Sequence, residues 1–275
     1  MRTNIRLLIP IYVFPVAGKG SSLWTAIAEQ ATKIDITVII DPTIGQPDED
    51  YFNGLDTLND AGITILGYVP TGYGGCFFTP DNEKCSSFTW GDQVIYTLHK
   101  HEIKEAIDLY NTNYKKWIQG IFFDEFGLDE DEKYPIYGEL YQYVKRLNQD
   151  FKVVVNPGST LPRAYFDWEI QNHQKAADVF VVFEESASAW TNDIQLDCLH
   201  SFSVMIHDVA EGSIEAMEGS IDSAAHLGVE YIYVTDAQFE PDQNPWDKLP
   251  TFWKQEVDYI AHLNDSVILS GGRWD

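Results

Sequence analysis

The sequence predicts a closed (β/α)8 barrel, the TIM barrel, built as a single domain over residues 1–275. Three observations predict it. Runs rich in Val, Ile, Tyr and Phe alternate with helical stretches about eight times, without a low-complexity linker. Several runs are apolar on both faces, as strands of a parallel sheet covered by helices are. Nearly every run ends in polar or aromatic residues, and in this barrel the carboxyl ends of the strands carry the site.

The elements follow in order. IRLLIPIYVF gives a first strand, and a helix is expected after Ser21 and Ser22, whose hydroxyls suit free helix amides. DITVIIDP is the second strand, followed by a helix from Asp48 to Ala61 that Gly62 stops. ITILGYVP, the third, leads into a Gly-rich aromatic loop from Thr71 to Asp92, with a helix expected from Gln93 to Tyr114. IQGIFFDEF is the fourth strand; the acids of LDEDEK then suit the dipole of a helix from Tyr134 to Leu147, a role preferred to metal binding. FKVVVNPGST and DVFVVFEES are the fifth and sixth strands, with helices over Ala164–Ala177 and Asn192–Leu199. FSVMIHDVA and EYIYVTDAQ close the set, with helices over Ser213–Leu227 and Leu249–Leu263.

A formal net charge of -25 disfavours nucleic acid and anionic membrane surfaces, because phosphate binding needs clustered Lys and Arg. A neutral or cationic partner fits better. The N-terminus imitates a secretion signal, but Pro10 and Pro15 interrupt it and its residues favour a strand. No run reaches about eighteen apolar residues, so no membrane span is expected. The protein is expected to be secreted or at the cell surface if a signal has been removed, and cytoplasmic otherwise. A monomer is the expected state. Cys76 and Cys85 bracket a loop segment where pairing or free thiols both fit, with Cys198 left over. Zinc is disfavoured by the missing C-x-x-C and His pair. His99 and His101 are expected on a helix surface.

The strand ends supply the chemistry. Carboxylates from two different strands, flanked by Tyr and Trp, are what glycoside hydrolysis requires: one protonates the leaving oxygen, the other attacks the anomeric carbon or activates water. On a regular strand Asp124 and Glu125 point to opposite faces, so one should face the barrel axis and the other support it. A bulge would reverse the choice. Glu184 and Glu185 diverge in the same way. Tyr12, Tyr73, Trp190 and Trp246 are placed either to stack on sugar rings or to pack the barrel top.

The segments IPIYVFP, GYVPTGYG, GIFFDE, VVVNPGS, VVFEES, IHD, YIYVTD and NPWDKLPTFW, in this order, resemble the spherulin-4 family, the glycoside hydrolases of family 135. The resemblance covers almost the whole chain. It implies a (β/α)8 barrel that cleaves α-1,4-linked N-acetylgalactosamine in galactosaminogalactan, a polysaccharide that is cationic where deacetylated. Carried over by position, the family's acids match Asp124, Glu125 and Glu184, whereas Glu185 falls where the family has small or polar residues. The assignment is Asp124 as nucleophile, Glu184 as general acid/base and Glu125 as the tuning or positioning group. Tyr12, Tyr73, Asn156, His207, Asp208, Asp236 and Trp246 are expected to line the sugar groove. No cofactor and no metal are expected. The loop GGCFFTPDNEKCSSFTW is longer than usual for the family, which bears on substrate choice. Two rivals stay open: a non-catalytic carbohydrate-binding or coat protein, and a metal-dependent barrel hydrolase.

Overall fold

A computed structural model describes residues 4–269 apart from 16–18, 86, 91, 92, 96, 129, 130, 192, 193, 195, 197, 198 and 240–242. Ten strands are described: β1 Arg6–Ile11, β2 Ile36–Ile40, β3 Thr64–Pro70, β4 Phe88–Trp90, β5 Gln93–Ile95, β6 Gly120–Asp124, β7 Lys152–Val155, β8 Val179–Ser186, β9 Ser201–His207 and β10 Tyr231–Val234. The helices are α1 Lys19–Ala28, α2 Phe52–Asp60, α3 Lys100–Asn113, α4 Tyr134–Leu147, α5 Arg163–Asn172, α6 Ile214–Leu227 and α7 Trp253–Leu269. Eight strands close a barrel in the order β1-β10-β9-β8-β7-β6-β3-β2, while β4 and β5 form a separate antiparallel ribbon. This is the expected (β/α)8 architecture.

Two compact units divide the chain. One comprises Ile40–Pro47 and Leu66–Val182. Here β3 pairs in parallel with β6, placing Tyr68 opposite Phe122 and Pro70 opposite Asp124. β6 pairs with β7 in turn. Helix α3 buries Ile103, Ala106, Ile107 and Tyr110, the spacing that makes one helix face. Tyr110 lies directly on β3 because position 67 is glycine: a Cβ there would sit 2.6 Å from the tyrosine ring. Its hydroxyl donates to the Tyr68 carbonyl at 2.9 Å.

The other unit comprises Met1–Ile39, Asp48–Ile65 and Phe183–Asp275. β10 pairs in parallel with both β9 and β1. Every residue of β2 and β10 is buried, as strands covered on both faces must be. Ser213 caps α6 by accepting from the Ala216 amide, and Gly228 ends it in a left-handed conformation at φ 84.

Four boundaries differ from expectation. Helix α1 begins at Lys19, so Ser21 and Ser22 fall inside it rather than capping it. Helix α3 begins at Lys100 rather than Gln93, because the β-prone residues before it pair as β5. Helix α5 stops at Asn172, where His173 turns left-handed at φ 52. Helix α7 is displaced towards the C-terminus, to Trp253–Leu269. The helix expected over Asn192–Leu199 lies largely outside the described residues. No helix among the described residues is long and apolar enough to cross a membrane.

Candidate active site

Asp124 ends β6, two residues beyond Phe122 and on the same face by strand alternation. Tyr68 is the register partner of Phe122, and its side chain runs along that face. Its hydroxyl donates to Asp124 Oδ2 at 2.9 Å. From the other neighbouring strand, Asn156 follows β7 and donates its amide to Asp124 Oδ1 at 2.8 Å. The Asn156 side-chain oxygen accepts from the Gly158 amide at 2.9 Å, which fixes the NH2 group towards Asp124. The carboxylate therefore has one orientation, set by three consecutive strand ends.

Glu125 abandons the strand. Its backbone is left-handed at φ 55, so the alternation that would send it to the opposite face stops there. The conformation is held from the loop after β3. Glu125 O accepts from the Tyr73 amide at 2.6 Å and from Thr71 Oγ1 at 2.7 Å, while Glu125 Oε2 accepts from the Gly72 amide at 3.0 Å. Gly72 has φ 55, and a Cβ on it would meet Thr97 Cα at 2.6 Å, so only glycine brings this amide to the carboxylate. Tyr73 itself is left-handed at φ 52 and half-buried.

Two half-buried acids thus stand side by side, and no cationic side chain among the described residues pairs with either. Burial first, then the Asp124 charge, pushes the Glu125 carboxyl up to about 7 against the opposing Gly72 bond. Asp124 is also raised by burial, opposed by its bonds from Tyr68, the Glu125 amide and Asn156. Near neutral pH the pair can hold one proton, the condition under which neighbouring carboxyls divide acid and base roles.

In the other unit, Glu184 is half-buried on β8, and Glu185 is exposed and accepts from the Ser186 amide at 2.9 Å. At the end of β9, His207 Nδ1 donates to Asp208 Oδ2 at 2.7 Å. Asp208 is left-handed at φ 55, and its second oxygen accepts from the Phe239 amide at 3.2 Å. The His207 ring lies 5.8 Å from Phe239 and 5.9 Å from Trp246, which in turn packs 5.9 Å from Tyr233. Trp246 is 7% exposed, a packing position, whereas Phe239 is 55% exposed and offers its ring to solvent.

Phe239 was missed by the sequence reading. Its signal was an aromatic two residues past a strand-end Asp-Ala pair. Asp236 is committed to loop geometry: it accepts from the Gly212 and Thr251 amides and from the Thr251 hydroxyl. Burial raises its pKa, but these bonds outweigh burial and hold it below the usual range. Trp190 is pinned by Phe183 at 4.9 Å and by Ser223 at 3.1 Å. Tyr12 is half-buried just past β1.

Comparison with known proteins gives a family and a fold. The model of Spherulin4, spherulation-specific family 4, matches residues 6–260. Spherulin-4 of Physarum polycephalum is 26% identical over 277 residues, covering 94% of this chain and 71% of that protein. Sph3 of Aspergillus clavatus, solved in complex with GalNAc, superposes with a TM-score of 0.69 at 22% identity over 94% of this chain and 98% of that one. The ligand-free cyclic alpha-maltosyl-(1-->6)-maltose hydrolase of Arthrobacter globiformis superposes with a TM-score of 0.57 at 11% identity, over 94% of this chain and 82% of that one. At such identities the solved structures speak for the barrel alone.

Proposed function

The chain belongs to spherulation-specific family 4, and from that premise we propose that it is a glycoside hydrolase. Its substrate is a polysaccharide containing α-1,4-linked N-acetylgalactosamine, of galactosaminogalactan type, cut internally and with retention. The observation that carries this reading is the adjacent pair Asp124 and Glu125, oriented by Tyr68, Asn156 and Gly72 with raised proton affinity. Purely structural acids are rarely held this way, without a cation to neutralise them. The GalNAc in the Sph3 complex supports the choice of sugar.

Asp124 attacks the anomeric carbon in its ionised form, which the donors on both its oxygens favour. Glu184 protonates the leaving oxygen and then takes a proton from the incoming water. Glu125 tunes the pair by giving its backbone amide to Asp124, and it positions the loop after β3 through the Gly72 amide. The exposed Phe239 ring, braced by His207, offers a face for a sugar ring. One observation favours a second reading, in which Glu125 rather than Glu184 is the proton donor: its carboxyl is pushed up to about 7, so a share of it holds a proton at neutral pH.

The test follows new reducing ends from galactosaminogalactan and related amino-sugar polymers for the parent, Asp124→Asn, Glu184→Gln and Glu125→Gln. Losses of ~10²–10⁴-fold are expected where a nucleophile or acid is removed. The variant lacking the true acid keeps activity on an aryl glycoside whose leaving group needs no protonation, which separates the two readings. Undiminished cleavage by Asp124→Asn would remove that residue from the mechanism. Glycan binding without new reducing ends would identify a carbohydrate-binding protein instead.

A further inference from the structure

The long segment between β3 and α3 assembles a second group of chemically capable side chains. Cys76 and Cys85 form a disulfide. His99, expected on a helix surface, is instead the N-cap of α3 and only 5% exposed. Its Nε2 lies 2.9 Å from the Glu83 carbonyl oxygen. A carbonyl only accepts, so Nε2 carries the proton and Nδ1 the lone pair. The His99 side chain faces the backbone N–H of Glu102 in a capping box, and its Nδ1 lies 3.7 Å from Cys76 Sγ.

An imidazole that gives one N–H to a backbone carbonyl and keeps the other nitrogen free of protons is the form in which histidine binds metal ions. The donor atoms of Cys76, Cys85 and His99 all lie within 4.8 Å of one another, and so do those of Asp81, His99 and His101. The two groups share His99. His101 Nδ1 meets Asp81 Oδ1 at 3.2 Å, and the two imidazole rings stack at 5.3 Å. A cavity of about 370 Å³ lined by Asp81, Glu83, Cys85, Thr97, His99 and His101 opens onto them. As a disulfide the sulfurs are poor ligands; as thiolates they are the preferred donors for zinc-class ions.

We propose that reduction of the Cys76–Cys85 bond opens a binding site for a zinc-class divalent cation. Two thiolates and His99 Nδ1 supply three ligands, and a water from the cavity supplies the fourth. The step balances with a dithiol reductant: it delivers two electrons and two protons, the S–S bond breaks to two thiols, and the reductant becomes its own disulfide. Cation binding then releases the two thiol protons to solvent and displaces the Glu102 amide from His99. The spacing hid this site, because its histidines stand two residues apart and its cysteines nine.

Cobalt(II) is the probe, added without oxygen to the full chain carrying Cys198→Ser, so that no third thiol competes. After reduction and removal of the dithiol, one equivalent should bind with a thiolate-to-cobalt charge-transfer band, and zinc should bleach that band. The oxidised chain should show no band. Cys85→Ser and His99→Asn should each weaken binding by at least ~10-fold, asparagine being chosen because it keeps the helix cap while losing the imidazole. Circular dichroism establishes that each variant is folded. A reduced protein without the band, or His99→Asn binding as tightly as the parent, would overturn the proposal. None of these readouts depends on glycosidase activity.

Discussion

Asp124 owes its orientation to two side chains that do not react, and this makes its chemistry adjustable from outside. The Tyr68 and Asn156 bonds both lower its proton affinity against the effect of burial. Removing one donor therefore raises the pKa further. Tyr68→Phe should shift the acidic limb of the pH dependence of kcat/KM upwards, since the nucleophile must be ionised and its ionisation now begins at higher pH. Rates well above that limb should fall far less than in Asp124→Asn. A profile that loses height but keeps its acidic limb in place would mean that Tyr68 only packs. The sequence revealed that a strand ended in two acids, and alternation placed them on opposite faces. What alternation could not show is the left-handed turn at Glu125, because that conformation is stabilised by Thr71, Gly72 and Tyr73, some fifty residues earlier in the chain.

At the scale of elements, the eight barrel strands were legible because each holds a short, mainly buried apolar run, α4 because of its apolar spacing, and α6 because its Ser213 cap and apolar spacing agree. Legibility failed in the segment after β3. There Phe88–Trp90 and Gln93–Ile95 pair locally, and the helix waits for a buried histidine cap, a residue type that capping rules do not favour. The disulfide also was undecidable from spacing alone. Closing a loop with a sequence separation of 9 should stabilise the fold by about 2.5 kcal/mol through the lost freedom of the unfolded chain. The double variant Cys76→Ser/Cys85→Ser should therefore unfold at lower denaturant, by that order. Thr71, Gly72 and Tyr73 precede Cys76 directly, so their amide exchange should quicken as well. An unchanged denaturant midpoint would mean that the ribbon and α3 hold the loop unaided.

For the molecule as a whole, a buried carboxyl that takes no part in the proposed chemistry makes stability depend on pH. Glu256 on α7 is 0% exposed. One oxygen accepts from the Val234 amide of β10 at 2.9 Å, and the other has no hydrogen-bond partner. Burial, opposed by that amide and reinforced by the Asp236 charge, pushes its pKa up from 4.5 to about 8. The folded protein thus keeps a proton here that the unfolded chain releases. The sign follows: this group's contribution is fully present below pH 4.5 and is lost as pH rises through 8. Between those limits it should lower folding stability by about 1.4 kcal/mol per pH unit. Asp124 and Glu125 are shifted in the same direction, so the slope of the parent alone assigns nothing. The discriminating quantity is the difference between the parent and Glu256→Gln in urea unfolding at several pH values from 5 upwards. The variant should lose one proton's worth of slope, even if its amide packs less well at low pH. Parallel pH dependences for the two proteins would show that Glu256 is already ionised in the fold, and that water or a rearranged β10 end satisfies it.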